Sequence, residues 1–222
     1  MRFHSSAPKR SYLTKREAEI LLSSMDKQAT NVSNTDEGGV GVPQARRRAL
    51  AGALAARDHA AFSAMIYAGL RIEETTALTV EDLSFSRGEE EVRVARGKGN
   101  KERIVPMSPK LRRSLRRYLQ VRDDLVPTGE TLPPHLFLNE KGERVTENTL
   151  RRRLYSWVRK SGIKKAEIKP HDLRRTFGTG FLQANPRHVR ELAELMGHSD
   201  LSQVMKYALS DEQRARAGVA KL

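Results

Sequence analysis

No cysteine occurs in the 222 residues, and its absence removes disulfides, thiolate nucleophiles and cysteine-held zinc together. An intracellular protein working without a metal or other cofactor is the simpler expectation. No stretch approaches the ~20 consecutive apolar residues of a membrane span. The opening Met1-Arg2-Phe3-His4-Ser5 lacks the apolar centre of a secretory signal, so a cytoplasmic location and no membrane partner are expected. Familiar nucleotide and metal signals are missing too. Gly97-Lys98 has neither the preceding glycine nor the following Ser or Thr of a phosphate-binding loop, and Gly178-Thr179-Gly180 lacks the third glycine of a dinucleotide fingerprint. There is no His-Glu-x-x-His pair and no calcium loop, and the six histidines are scattered.

What the chain has in excess is positive charge. Lys and Arg number 41 against 27 Asp and Glu, a formal net charge of +14. Solubility does not require so much. The charge lies in short groups along the whole chain, including residues 46–48, 112–117 and 151–153, and not in one tail beside a hydrophobic anchor. That distribution favours nucleic acid as partner, with a ribosome-associated or merely very soluble basic protein as the alternative. At 38% apolar content, the length is enough for one sizeable core, and a single domain over 1–222 is expected.

Thr14 with Glu17 three residues on reads as a capping box opening a helix with Ile20, Leu21 and Met25 as its buried stripe. Residues 30–43 lack periodicity and are rich in turn formers, so a surface loop is expected. Residues 44–67 are Ala-rich and helix-forming, with Leu50, Leu54, Phe62 and Ile66 among the apolar positions, ending at Gly69; a short helix over 71–78 follows. Charged and apolar residues alternate over 91–96 and again over 103–106 around Gly97-Lys98-Gly99-Asn100, which predicts a β-hairpin. Helices are expected at 109–121, 147–160 and 172–183. Another should open at Asn185-Pro186, carry Val189, Leu192 and Leu195 inward and end at Gly197, and a last one should cover about 202–208. The fold class is mainly α with a small antiparallel sheet, α+β.

Three clusters carry candidate chemistry. His171 and Arg174 lie three residues apart just after Pro170. On the first turn of a helix they project side by side, and the helix N-terminus adds its own positive field, an arrangement that suits an oxyanion or is a solvated surface pair. Arg71 leaves the end of an apolar helix and needs an anion, which is either Glu74 one turn on or a substrate phosphate with Glu74 as a brace behind it. The hairpin tip Gly97-Lys98-Gly99-Asn100-Lys101 permits close approach of backbone to a ligand and carries two ammonium groups.

Taken in order, Ala68-Gly69-Leu70-Arg71-Ile72-x-Glu74, Gly97-Lys98-Gly99-Asn100-Lys101-Glu102-Arg103-Ile104-Val105-Pro106, His171-Asp172-Leu173-Arg174-Arg175-Thr176-Phe177 and Leu195-Met196-Gly197-His198-Ser199 precede Tyr207, nine residues after His198. This series resembles the tyrosine recombinase, or phage integrase, family over essentially residues 9–210. The resemblance implies that Arg71, Arg174, His171 and His198 surround a scissile DNA phosphate, that Lys98 is the general acid toward the leaving 5′ oxygen, and that Tyr207 is the nucleophile. Such chemistry needs these groups. Guanidiniums hold non-bridging oxygens by directional hydrogen bonds while staying charged. A tyrosine of pKa near 10 is only ~0.1% ionised at pH 7, so it must lose its proton during attack, to an imidazole such as His171. His198 is then the donor to a phosphate oxygen.

Lys101, Arg103, Arg152, Arg153 and Arg175 are the expected further contacts to double-stranded DNA, with Glu74 bracing Arg71. Arg175 stands where many relatives have a second histidine, and residues 30–56 are longer than the usual connection. Most relatives carry a helical DNA-gripping domain ahead of a segment like the one that starts near Pro8. It is expected to be missing, so that the chain is either a fragment or resembles the short single-domain DNA invertases of this family. The implied activity is site-specific recombination by a homotetramer on DNA, monomeric away from it. Type IB topoisomerase-like relaxation and a DNA-binding regulator retaining only the fold are the alternatives.

Overall fold

Helix ends in this chain are written into its polar residues, and the computed structural model, which describes residues 12–33, 42–95, 102–164 and 167–197, bears this out. In α1 (Lys15–Ser33) the Glu17 N–H donates to the Thr14 hydroxyl at 3.2 Å, while the Thr14 N–H donates to the Glu17 carboxylate at 2.7 Å. Leu13 before the cap and Ala18 one turn into the helix are both buried, fixing the entry angle of the chain. The buried stripe is Ala18, Leu21, Leu22 and Met25; Ile20 is 39% exposed, contrary to expectation. The helical step of about 100° explains the difference, because once Leu21 and Met25 face inward Leu22 flanks them and Ile20 falls on the solvent edge.

The helix α2 (Val42–Tyr67) follows. The loop predicted over 30–43 is therefore shorter than expected: residues 30–33 continue α1, and Val42-Pro43 open α2, where a proline costs nothing in the first turn. Residues 34–41 lie outside the described residues. Through Phe62, Met65 and Ile66, all buried, α2 forms the centre of the core and packs against α1, against α4 (Pro109–Leu119), against α5 (Glu147–Ser161) and against α6 (Pro170–Ala184). Leu50 and Leu54 sit half-buried at its rim. Ser108 and Thr146 cap α4 and α5 through their hydroxyls, and Gly162, at φ 71°, ends α5 in the left-handed conformation.

Between α2 and α4 run α3 (Ile72–Ala77) and a three-stranded antiparallel sheet of β1 (Leu83–Ser84), β2 (Glu91–Val94) and β3 (Arg103–Pro106), in the order β1-β2-β3. The predicted pairing is present, with Val92 opposite Val105 and Val94 opposite Arg103. Its tip, 96–101, lies outside the described residues. β1, two residues long, was not foreseen. Alternation along β3 buries Val105 and leaves Ile104 51% exposed, so Arg103 shares the inward face with Val105.

Pro170 is the first residue of α6, so His171 and Arg174 belong to its first turns, as their spacing predicts. The last described helix, α7 (Val189–Met196), starts four residues after Asn185, because Pro186 and Arg187 form a turn before it. Leu192, Ala193 and Met196 are buried and Leu195 only half so. The three buried residues make a small apolar cluster with Leu182, Phe177, Phe181 and Val189, whereas Leu195 packs against the main core. The predicted helix over 202–208 lies outside the described residues. Among the described residues no helix is long and apolar enough to cross a membrane.

Candidate active site

The turn Ala68-Gly69-Leu70 reverses the chain between α2 and α3, and Gly69 takes φ +64° to do so. A Cβ there would lie 2.4 Å from Cδ1 of Phe177, so the glycine also lets α6 sit directly on the turn. Arg71 is the N-cap of α3. Its backbone N–H donates to Glu74 Oε2 at 2.8 Å and its Nη1 donates to Oε1 at 2.8 Å, so the i,i+3 partner weighed from sequence is in place.

Glu74 holds more than Arg71. The fork of Arg103 reaches both carboxylate oxygens, Nη1 to Oε1 at 2.9 Å and Nη2 to Oε2 at 2.7 Å. Arg174 Nη1 stands 3.7 Å from Oε2. Arg174 also donates from Nη1 to the Gly69 carbonyl and from Nη2 to the Met196 carbonyl, both at 2.5 Å. Arg103 Nε donates to the Leu195 carbonyl at 2.9 Å. One carboxylate, 4% exposed, thus gathers three guanidiniums supplied by α3, β3 and α6. Burial pushes the Glu74 carboxyl up, but the hydrogen bonds and charge of Arg103, the Arg71 N–H and the charge of Arg174 outweigh it and hold the pKa below the ordinary value. Glu74 is ionised at neutral pH, and three fixed positive charges against one negative leave the cluster electropositive, a site for an anion.

The Arg71 side chain is 22% exposed and the Arg174 side chain 1% exposed, so Arg71 forms the outer edge of the cluster and Arg174 its floor. His171, exposed at the start of α6, has its pKa lowered, first by partial burial and then by the charges of Arg175, Arg174 and Arg71, against the opposing Asp172. Its imidazole is neutral at pH 7 and able to accept a proton. Among the described residues no three His, Asp or Glu side chains converge as metal ligands.

Arg71, Glu74, His171 and Arg174 are thereby brought together, with Arg175 beside His171. Two arginines expected on DNA are placed differently. Arg103 is a buried tie on Glu74 and Leu195, its side chain 9% exposed. Arg153 donates through Nε to Asp58 Oδ2 at 2.6 Å and lies over the Trp157 ring, its side chain 31% exposed. Arg152 is exposed on α5. Lys98, Lys101, His198 and Tyr207 lie outside the described residues. Neither the inward placement of Arg103 nor the tie of Arg153 to Asp58 was foreseen, although for Arg103 the alternation that buries Val105 carried the signal. Arg144, whose Nε donates to the Thr76 carbonyl at 2.8 Å and so supports the end of α3, had no such signal.

Residues 43–214 match the pattern of the "Phage integrase family", a stretch that takes in all six candidate residues of the phosphate site. Among curated proteins the chain is 36% identical over 160 residues to "Tyrosine recombinase XerC" of Vibrio campbellii, covering 72% of this chain and 49% of that protein. It is 35% identical over 164 residues to the protein of the same name from Syntrophus aciditrophicus, covering 72% and 51%. The chain spans about half the length of these relatives. Among solved structures, XerH site-specific recombinase bound to palindromic difH substrate superposes with a TM-score of 0.69 at 22% identity, over 99% of this chain and 55% of that one. XerA recombinase superposes with a TM-score of 0.67 at 23% identity, over 91% and 60%. The fold is shared, the matched stretch carries the clustered arginines, and the chain belongs to the phage integrase family of tyrosine recombinases.

Proposed function

We propose that this chain performs the DNA-breaking and DNA-rejoining chemistry of a site-specific recombinase. The observation that carries the proposal is the pair Arg71 and Arg174, set by one buried glutamate beside the neutral imidazole of His171. In this reading the two guanidiniums hold the non-bridging oxygens of a DNA phosphodiester, and the positive field of the cluster stabilises the charge that spreads over them in the transition state. The Tyr207 oxygen attacks phosphorus and its proton passes to His171. The P–O5′ bond breaks and the departing 5′ oxygen takes a proton from Lys98, while His198 donates to a phosphate oxygen. One phosphodiester becomes one 3′-phosphotyrosyl ester, so the reverse attack by a 5′ hydroxyl reseals a strand with no nucleotide consumed.

Exchange between two sites needs four such centres on two duplexes, and a homotetramer on DNA is part of the proposal. Lys101, Arg152 and Arg175 serve as backbone contacts. They position the duplex without reading its sequence, so binding weakens steeply as salt rises.

The test uses a pool of random duplexes, each nicked close to a fixed phosphate so that the short 5′-hydroxyl fragment is lost after cleavage. Covalent adducts are captured in detergent and their DNA sequenced. Wild type yields an adduct and Tyr207→Phe yields none. Absence of an adduct from wild type makes the chain a binding module, and an adduct from the Phe variant removes Tyr207 as nucleophile. Adducts joined with relaxation of supercoiled plasmid but with no recombinants from two-site plasmids point to a relaxing enzyme.

A further inference from the structure

We infer that Arg103 is a positioning residue that couples the phosphate-holding arginines to the end of α7, the helix that leads into His198 and Tyr207; the inference rests on the recombinase reading above. Nothing about a basic residue near a hairpin tip requires this role, and the expected one was contact with DNA. The geometry assigns the other. Arg103 lies on the buried face of β3, opposite Val94, and all three of its donor positions are used inside the protein. Its fork closes on both oxygens of Glu74, the carboxylate that orients Arg71 through both the backbone N–H and Nη1. Its Nε closes on the Leu195 carbonyl at 2.9 Å.

That carbonyl belongs to the last turn of α7, where helix carbonyls lack intrahelical donors. Gly197 then ends the helix at φ 62°. A Cβ on Gly197 would meet Arg103 Nη1 at 3.0 Å and Cζ at 3.3 Å, so the guanidinium packs closely against Gly197. Arg174 takes the neighbouring Met196 carbonyl, so the two arginines terminate α7 together, one from β3 and one from α6. Besides these two ties, α7 is held by the small apolar cluster it shares with α6 and by Leu195, which packs against the main core. Arg103 thus hydrogen-bonds to both the Glu74 carboxylate and the Leu195 carbonyl. A shift of its guanidinium moves Arg71 at one end and the chain entering His198 at the other.

A planar fork with a third N–H cannot be replaced by an ammonium, which makes point contacts from a flexible stem. Arg103→Lys keeps the charge near Glu74 and loses the simultaneous ties. Single-turnover cleavage is followed on the strongest duplex recovered from the nicked pool, with protein in excess. The rate constant at saturation is expected to fall roughly 100-fold, the loss that a small misplacement of reacting groups produces, with DNA affinity changed less than about twofold. A contact to a DNA phosphate gives the opposite split, with affinity and salt dependence altered and the saturated rate retained. A partly unfolded population leaves the saturated rate constant unchanged and lowers the adduct amplitude in a parallel run with DNA in excess, so simple loss of structure is told apart. Amide exchange in the free protein adds a readout without DNA: protection over 193–197 is expected to drop about tenfold in Arg103→Lys, with that of 60–66 unchanged. A wild-type adduct together with a normal Lys-variant rate, or unchanged exchange in α7, overturns the inference alone. No adduct from wild type overturns the recombinase reading as well.

Discussion

Gly69 is the residue on which the geometry of the arginine cluster turns. Its φ of +64° lies where an L side chain pays about 1–2 kcal/mol, and a Cβ would intrude to 2.4 Å on the Phe177 ring. Its carbonyl is also a partner of Arg174 Nη1. Gly69→Ala is therefore expected to lower stability by about 1–3 kcal/mol and to push α6, with Arg174, away from α3. Urea unfolding checks the first effect and adduct formation the second. Trimming the ring in Gly69→Ala/Phe177→Leu relieves the collision and not the backbone strain, so recovery should be partial. A single variant within about 0.5 kcal/mol of wild type, the ordinary range for a harmless surface change, means that the turn tolerates a side chain.

Helices α2 and α5 are tied by a buried acid. Asp58, wholly buried, accepts from Arg57 Nε at 3.0 Å and Nη2 at 2.6 Å, from Arg153 Nε at 2.6 Å and from Trp157 Nε1 at 2.7 Å. Arg57, 1% exposed, uses its remaining arm on the Leu138 carbonyl. Asp58→Ala leaves a guanidinium and an indole N–H unpaired in the core, which is expected to cost about 3–5 kcal/mol; a denaturation midpoint close to wild type contradicts that role. Much of the element pattern was legible in the sequence, because caps such as Thr14 and first-turn prolines such as Pro170 act locally. So were the pairing of Arg71 with Glu74 and the placement of His171 and Arg174 on the first turns of α6, each set by a spacing of three residues. What escaped depends on contacts distant in sequence. Arg103 meets Glu74 across 29 positions and Leu195 across 92, Arg153 meets Asp58 across 95, and β1 is too short to show a period. The inward face of Arg103 is an intermediate case, since alternation states which side it occupies and not which acid awaits it.

Over the whole molecule, acid should loosen the fold in two stages. His59, His135 and His171 all have pKa values below their ordinary 6.5. Burial is the first cause in each, opposed at His59 by Asp26 and reinforced by Arg117, and reinforced at His135 by Arg144 and Arg122. A histidine that resists protonation when folded takes up its proton at higher pH when unfolded. Between the folded values and 6.5 the unfolded chain thus binds more protons, and stability rises with pH. The contribution is complete above 6.5 and is lost as pH falls through the folded values. Glu19, Glu74 and Glu90, lowered from 4.5, act with the same sign at more acid pH. Urea midpoints are expected to decline already between pH 7 and 5.5, before carboxylates titrate, and a flat profile there contradicts the three shifts. DNA should offset one of them. A phosphate held by Arg71 and Arg174 brings negative charge beside His171 and raises its pKa back toward the ordinary value, so the imidazole still accepts a proton at pH 7; below neutrality binding takes up a proton and tightens as pH falls while the free protein weakens. Imidazole resonances followed through a titration, with and without a short duplex, separate the two: the His171 signal should move to higher pH with DNA, and those of His59 and His135 should stay.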